Sequence, residues 1–141
     1  RTKARDYVDL LMIENHMCPL GPVIMAAAGK PPYFSPLRIV DEIRRKALSV
    51  TNEDYTTVRG LPSDWTAAMI RDELIIALDH AENYLRNAPP ELVGILAIDI
   101  SGVPLEVYDL SAPGVGYRKA TSEPEVIPDL PEAGSRWGNL A

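Results

Sequence analysis

A chain of 141 residues has room for one domain, or one domain and a tail, and excludes a multidomain enzyme. With 46% hydrophobic and 24% charged residues it can build a core and is not disordered throughout. Fourteen Lys and Arg against twenty Asp and Glu give a net charge of −6, the wrong sign for a protein held to DNA or RNA by counterion release, so nucleic acid is disfavoured as a partner.

Cys18 is the single cysteine and cannot form an internal disulfide, and His16 and His80, the only histidines, offer no zinc-type ligand spacing, so no metal site is expected. A reducing, cytoplasmic setting is the matching expectation. The longest apolar stretch, Val23 to Ala28, falls far short of the roughly 18–20 residues that cross a bilayer, and no basic-then-apolar signal opens the chain. No membrane partner is expected. Arg1 in place of a methionine predicts a processed product or a piece of a longer protein. Residues 1 to 70 carry nine basic and eight acidic side chains and residues 71 to 141 five and twelve, so acidity concentrates in the second half.

From Ala4 to about Met17, Tyr7, Val8, Leu10, Leu11 and Ile13 recur at helical spacing between charged residues, which predicts a half-buried helix. Pro19, Gly21 and Pro22 break it. Pro22 fits the first position of a helix over Val23 to Ala28, apolar all round and therefore buried, with Gly29 as its C-terminal cap. Pro31 and Pro32 mark a turn, and Ser35 with Pro36 opens a helix to about Leu48 whose core face is Leu37, Val40, Ile43 and Leu48. Residues 51 to 60 read as irregular, with Tyr55 and Val58 anchoring a short turn at most. Ser63 or Asp64 caps a long helix from Trp65 to Ala88 that Pro89 and Pro90 stop, with Trp65, Met69, Leu74, Ile76, Leu78, Ala81 and Leu85 as its apolar residues. Leu92 to Ile98 and Val103 to Tyr108, joined by the turn residues Asp99 to Gly102, predict a hairpin in which Pro104 confines the second strand to an edge. The fold class is mainly α: a four-helix domain over 1–110 with a small β-hairpin at about 92–108. A Pro/Gly-rich tail over 111–141 is expected to be extended or disordered.

Chemistry concentrates at the start. Lys3 and Arg5 alternate into a helix on which Asp6 and Asp9, three apart, share one face, while Tyr7 and Val8 turn elsewhere. Cations neutralise phosphate charge, and a carboxylate can orient a hydroxyl or a metal-bound water, so such a cluster can position a nucleotide. Carboxylates in a first helical turn also serve the helix dipole without any further role. The pattern Arg1-x-Lys3-x-Arg5-Asp6-x-x-Asp9-Leu10 resembles the last motif of the AbiEii/AbiGii-type nucleotidyltransferase toxins, where their helical C-terminal part begins. Leu20-Gly21-Pro22, Ala26 to Lys30 and Leu37 to Arg45 resemble the helices that follow in related bacterial proteins, so that the resemblance spans about residues 1 to 95.

That resemblance implies a catalytic role for Lys3 and Asp9 in a nucleotide site, with Arg5 and Asp6 as supporting nucleotide-binding residues. It also implies an antitoxin or other protein partner. The metal-holding core of such enzymes, a Gly-Ser turn followed by Asp-x-Asp, is missing: Gly134-Ser135 is the only Gly-Ser, and no Asp follows it. Mg and NTP are therefore expected only together with an upstream half, and this chain alone is expected to be inactive.

The alternative expectation is a non-catalytic helical interaction module that uses its acidic half and Pro-rich tail, with Trp137 near the end, to bind a basic partner or a neighbouring subunit. Lesser candidates are a Cys18–His16 nucleophile pair, His80 between Asp79 and Glu82, and the basic run Arg44-Arg45-Lys46, which a helix C-terminus explains by itself. Gly114-Val115-Gly116 lacks the helix that a phosphate-cradling loop requires.

Overall fold

The structure, a computed structural model, describes residues 4–120. Five helices, α1 (Ala4–His16), α2 (Leu20–Ala27), α3 (Pro36–Ala47), α4 (Asn52–Thr56) and α5 (Ala67–Asn87), precede two short strands, β1 (Ile95–Ile98) and β2 (Gly116–Lys119). The fold is mainly helical with a small antiparallel pair of strands. No helix among the described residues is long and apolar enough to cross a membrane.

The organising element is α5. Ile70, Leu74, Ala77, Leu78, Ala81, Tyr84 and Leu85 recur every three or four residues and are all buried, giving one apolar face along the helix. All four other helices pack on α5. Its N-cap is Thr66, whose hydroxyl accepts from the Met69 N–H at 3.1 Å, rather than Ser63 or Asp64, which lie in the preceding turn. Ala88, ahead of Pro89, is driven into extended backbone and ends the helix where the sequence predicts. Ile76 departs from expectation at 62% exposed, because it lies on the outer side of α5.

In α1, Ala4, Tyr7, Val8 and Leu11 are buried, leaving Arg5, Asp6 and Asp9 exposed. The start of α3 carries the expected cap, the Ser35 hydroxyl accepting from the Arg38 N–H at 3.3 Å with Pro36 as the next residue. Val40 is fully buried, but Leu48 lies past the end of α3 and is 72% exposed rather than in the core. The segment read as irregular contains α4, closed by a capping box in which Thr51 and Asp54 bond each other's backbone N–H groups. It buries Tyr55 against the core.

Two features of α2 differ from the sequence reading. The helix begins at Leu20, the Glu14 carboxylate accepting from the Leu20 N–H, and Pro22 is therefore its third residue, within the first turn, where no intrahelical N–H bond is lost. Gly29 is not a left-handed cap. Its role is close approach: a Cβ there would stand 2.5 Å from the Gly94 Cα, so the end of α2 and the lead into β1 meet backbone to backbone. Gly94 itself is left-handed, with φ 82°, and its N–H donates to the Met25 carbonyl at 2.9 Å. The loop after α2 contains a cis Pro31–Pro32 bond.

β1 pairs antiparallel with β2, Ile95 opposite Lys119 and Ile98 opposite Gly116, and not with the Val103–Tyr108 segment of the expected hairpin. That segment does turn back through Asp99 to Gly102, but only an isolated bridge between Ile98 and Pro104 forms, since Pro104 has no N–H to extend a ladder. It runs on across α5, where the buried Val107 N–H donates to the Tyr84 hydroxyl at 3.3 Å. β2 falls inside the stretch assigned to a tail from residue 111, so the fold continues at least through Lys119; residues 121–141 lie outside the described residues.

Candidate functional site

The sequence-predicted nucleotide residues fall on the first two turns of α1. Arg5, Asp6 and Asp9 share its solvent side, and the Arg5 guanidinium reaches only the Arg59 carbonyl, at 3.4 Å. Lys3 lies outside the described residues. Asp6 and Asp9 make no hydrogen bond or ion pair with another described residue. Among the described residues no three His, Cys, Asp or Glu side chains gather in a way that could hold a metal ion. The structure therefore brings Arg5, Asp6 and Asp9 together as a charged strip on an open helix face.

The lesser candidates separate. Cys18 is half-buried, and its thiol is pushed above its ordinary range by burial and then by the Glu14 carboxylate, the reverse of what an activated nucleophile needs. His16, at the last turn of α1, is exposed. His80 faces neither of its sequence neighbours. Its Nε2 lies 2.8 Å from Glu106 Oε2 on the segment crossing α5, a close approach that does not have hydrogen-bond geometry. Asp79 and Glu82 turn to α3, where Arg44 meets them at 2.9 and 3.0 Å and Asp41 at 3.2 Å. Hydrogen bonds from Arg86 and Arg44 hold the Glu82 carboxyl below the ordinary glutamate range. Arg45 and Lys46 both face Glu42. The basic run is thus a set of ties within α3 and between α3 and α5.

A concave feature lies beside those ties. A cavity of about 180 Å³ opens between the end of α3, α4 and the middle of α5, lined by Arg44, Ala47, Leu48, Tyr55, Arg71, Leu74, Ile75 and Leu78. Its lining is almost wholly carbon, and Leu48 and Ile75 carry it to the surface, 72% and 42% exposed. Arg71 braces one wall: its guanidinium donates to the Val50 carbonyl at 2.6 Å and to the Asn52 side chain, with its carbon 5.6 Å from the centre of the Tyr55 ring. Tyr55 is 1% exposed, its hydroxyl has no hydrogen-bond partner among the described residues, and burial pushes the phenol above its ordinary range.

The polar groups among the lining residues are Arg44, Arg71 and the Tyr55 hydroxyl, and the remaining walls are aliphatic. Such walls can desolvate an apolar group. Sequence reasoning missed this site because its walls come from three helices, one of them unexpected. The available signal was Ile75 beside Ile76 on α5: adjacent aliphatic residues cannot both face one core stripe. No protein-family model, curated protein or solved structure matches the chain.

Proposed function

We propose that the chain is a non-catalytic helical binding module whose recognition element is the cavity between α3, α4 and α5, which receives an apolar side chain of a protein partner. The observation that carries the reading is the cavity's lining, almost wholly carbon with aliphatic residues at its mouth. Its volume of about 180 Å³ lies below the roughly 300–1,000 Å³ of small-molecule sites, which favours a single anchoring side chain over a whole cofactor. Burying one large apolar side chain contributes about 1.5–3 kcal/mol, so affinity depends on further contacts around the rim. The acid excess of residues 71 to 141 favours a partner of net positive charge.

Peptides selected from a random library against the full chain are expected to share an apolar anchor. Ile75→Asp is expected to abolish their binding while costing about 1–2 kcal/mol of unfolding free energy, with a cooperative urea transition retained, since Ile75 is already part-exposed. Equal binding to wild type and variant would overturn the reading.

A second reading keeps the resemblance: the helical part of a nucleotidyltransferase-like toxin or defence protein, lending Lys3 and Asp9, with Arg5 and Asp6, to a nucleotide held by an upstream half. What favours it is the shared exposure of Arg5, Asp6 and Asp9. Its test is the parent reading frame. A Gly-Ser turn followed by Asp-x-Asp upstream, with NTP transfer sensitive to Asp9→Asn, would support it; a cellular protein without that segment would remove it.

A further inference from the structure

The mouth of the cavity between α3, α4 and α5 is charged on its α5 side. Arg71, Leu74, Ile75 and Leu78 form the α5 wall, and Ile75 stands at the edge, 42% exposed. Helical geometry puts Asp72, three residues before Ile75, and Asp79, four after it, on the same outer side, with Cβ atoms about 5–6 Å from that of Ile75. Both are exposed. Arg44 takes the Asp79 carboxylate at 2.9 Å, whereas the Asp72 carboxylate makes no hydrogen bond or ion pair with another described residue. A group entering past Ile75 therefore meets a carboxylate that is open to a cation.

The interior selects by shape and by polarity. Apolar cavities of about 150 Å³ admit a benzene ring, and this one holds about 180 Å³. Part of its wall is aromatic: Tyr55 contributes ring carbon, its hydroxyl being fully buried without a hydrogen-bond partner among the described residues. A phenyl ring gains a ring–ring contact there that an aliphatic side chain does not. A tyrosine entering tip first would carry its hydroxyl to the deepest point, among carbon atoms, and an indole would bring an N–H to walls without an acceptor. The chain has no free phenylalanine to offer, since Phe34 is its only one and lies half-buried, the Arg38 guanidinium carbon 3.9 Å from its ring centre. A second copy would also bring another net charge of −6 to an acidic mouth.

We infer that the occupant is a phenylalanine of a different protein, carried next to a lysine or arginine, the ring filling the cavity against Tyr55 and the cation pairing with Asp72. This anchor and its neighbour rest on the binding-module reading of the cavity and sharpen it.

Titration of the full chain with acetyl-Gly-Phe-Lys-Gly-amide, followed by the methyl resonances of Leu48, Ile75 and Leu78, tests it against peptides with Leu, Tyr or Trp in place of Phe and Glu in place of Lys. The Phe peptide is expected to bind about threefold more tightly than the Leu peptide and about fivefold more tightly than the Tyr and Trp peptides. Replacing its Lys by Glu is expected to weaken binding about threefold, a difference that about 0.5 M salt should shrink. Asp72→Asn should erase that difference and Asp72→Lys reverse it, each variant keeping a cooperative urea transition because the side chain is exposed. A Leu, Tyr or Trp peptide that binds as tightly as the Phe peptide, or a preference for Lys that survives Asp72→Lys, would overturn the inference and leave the cavity as an anchor site, provided Ile75→Asp still abolishes binding. If no peptide moves these methyl resonances, or if binding is indifferent to Ile75→Asp, the inference and the anchor reading fall together.

Discussion

The contact between Gly29 and Gly94 makes the sharpest stability prediction. Replacing Gly29 by alanine places a carbon 2.5 Å from the Gly94 Cα, where carbon atoms settle at about 3.5–4.0 Å, so the end of α2 and the lead into β1 must separate by about 1 Å. No flexible side chain can move aside, since the opposing atom is backbone. Overpacking of this kind costs about 1–3 kcal/mol, and separation also stretches the Gly94 N–H to Met25 carbonyl bond, now 2.9 Å, worth about 1 kcal/mol more. The expected loss for Gly29→Ala is about 2–4 kcal/mol. Gly60→Ala is the matched control. Gly60 has φ 80° and open space around its Cβ position, so alanine there meets only the left-handed penalty of about 1–2 kcal/mol, less about 0.4–1 kcal/mol from a stiffer unfolded chain. Urea unfolding monitored by far-ultraviolet circular dichroism, with an unchanged denaturant slope, reads both losses. A Gly29→Ala chain no less stable than Gly60→Ala would refute close packing as the reason for the glycine.

Other outcomes follow from the ionisable groups. With its thiol raised by burial and by Glu14, Cys18 has less thiolate at neutral pH than a free cysteine, so its reaction with a disulfide reagent at pH 7 should run slower in the folded chain than in the chain unfolded in urea; a faster folded-state reaction would restore the nucleophile reading. The Glu82 carboxyl is held low in the folded protein by Arg86 and Arg44, so its contribution to stability is present above the ordinary glutamate range and is lost as pH falls through the lower folded value. Urea midpoints should therefore decline below about pH 5, and Glu82→Gln should flatten that decline. An identical acid profile for the variant would show that the Arg44 and Arg86 contacts do not bear on folding.

Local patterns made the helices legible. The apolar spacing of Tyr7, Val8 and Leu11, the Ser35–Pro36 start and the Pro89–Pro90 stop are each decided within a few residues, and the structure keeps all three. What escaped was settled at a distance. Gly116-Tyr117-Arg118-Lys119 has no alternating apolar pattern, and it becomes a strand because β1 offers an open edge to it. Gly29 looked like a cap because the residue opposing it comes from another part of the chain. The α4 capping box could have been read from Thr51 and Asp54, three apart, although the usual signature has Glu or Gln in the second place. At the candidate sites, the exposure of Asp6 and Asp9 follows from helical geometry alone. The cavity could not be read in the same way, because Leu48, Tyr55 and Ile75 meet only once α3 and α4 are laid on α5.

The joining of α2 to β1 also sets an order of events during synthesis. Gly94 follows Gly29 by 65 residues, so a ribosome adding about 5–20 residues per second makes the end of α2 roughly 3–13 s before the backbone that covers it. Over that interval the Met25 carbonyl lacks its later partner, and Leu20, Ile24 and Met25, buried in the finished protein, wait for α5 to close over them. The early helices of the nascent chain thus keep apolar surface uncovered until α5 and then Gly94 have been made and docked.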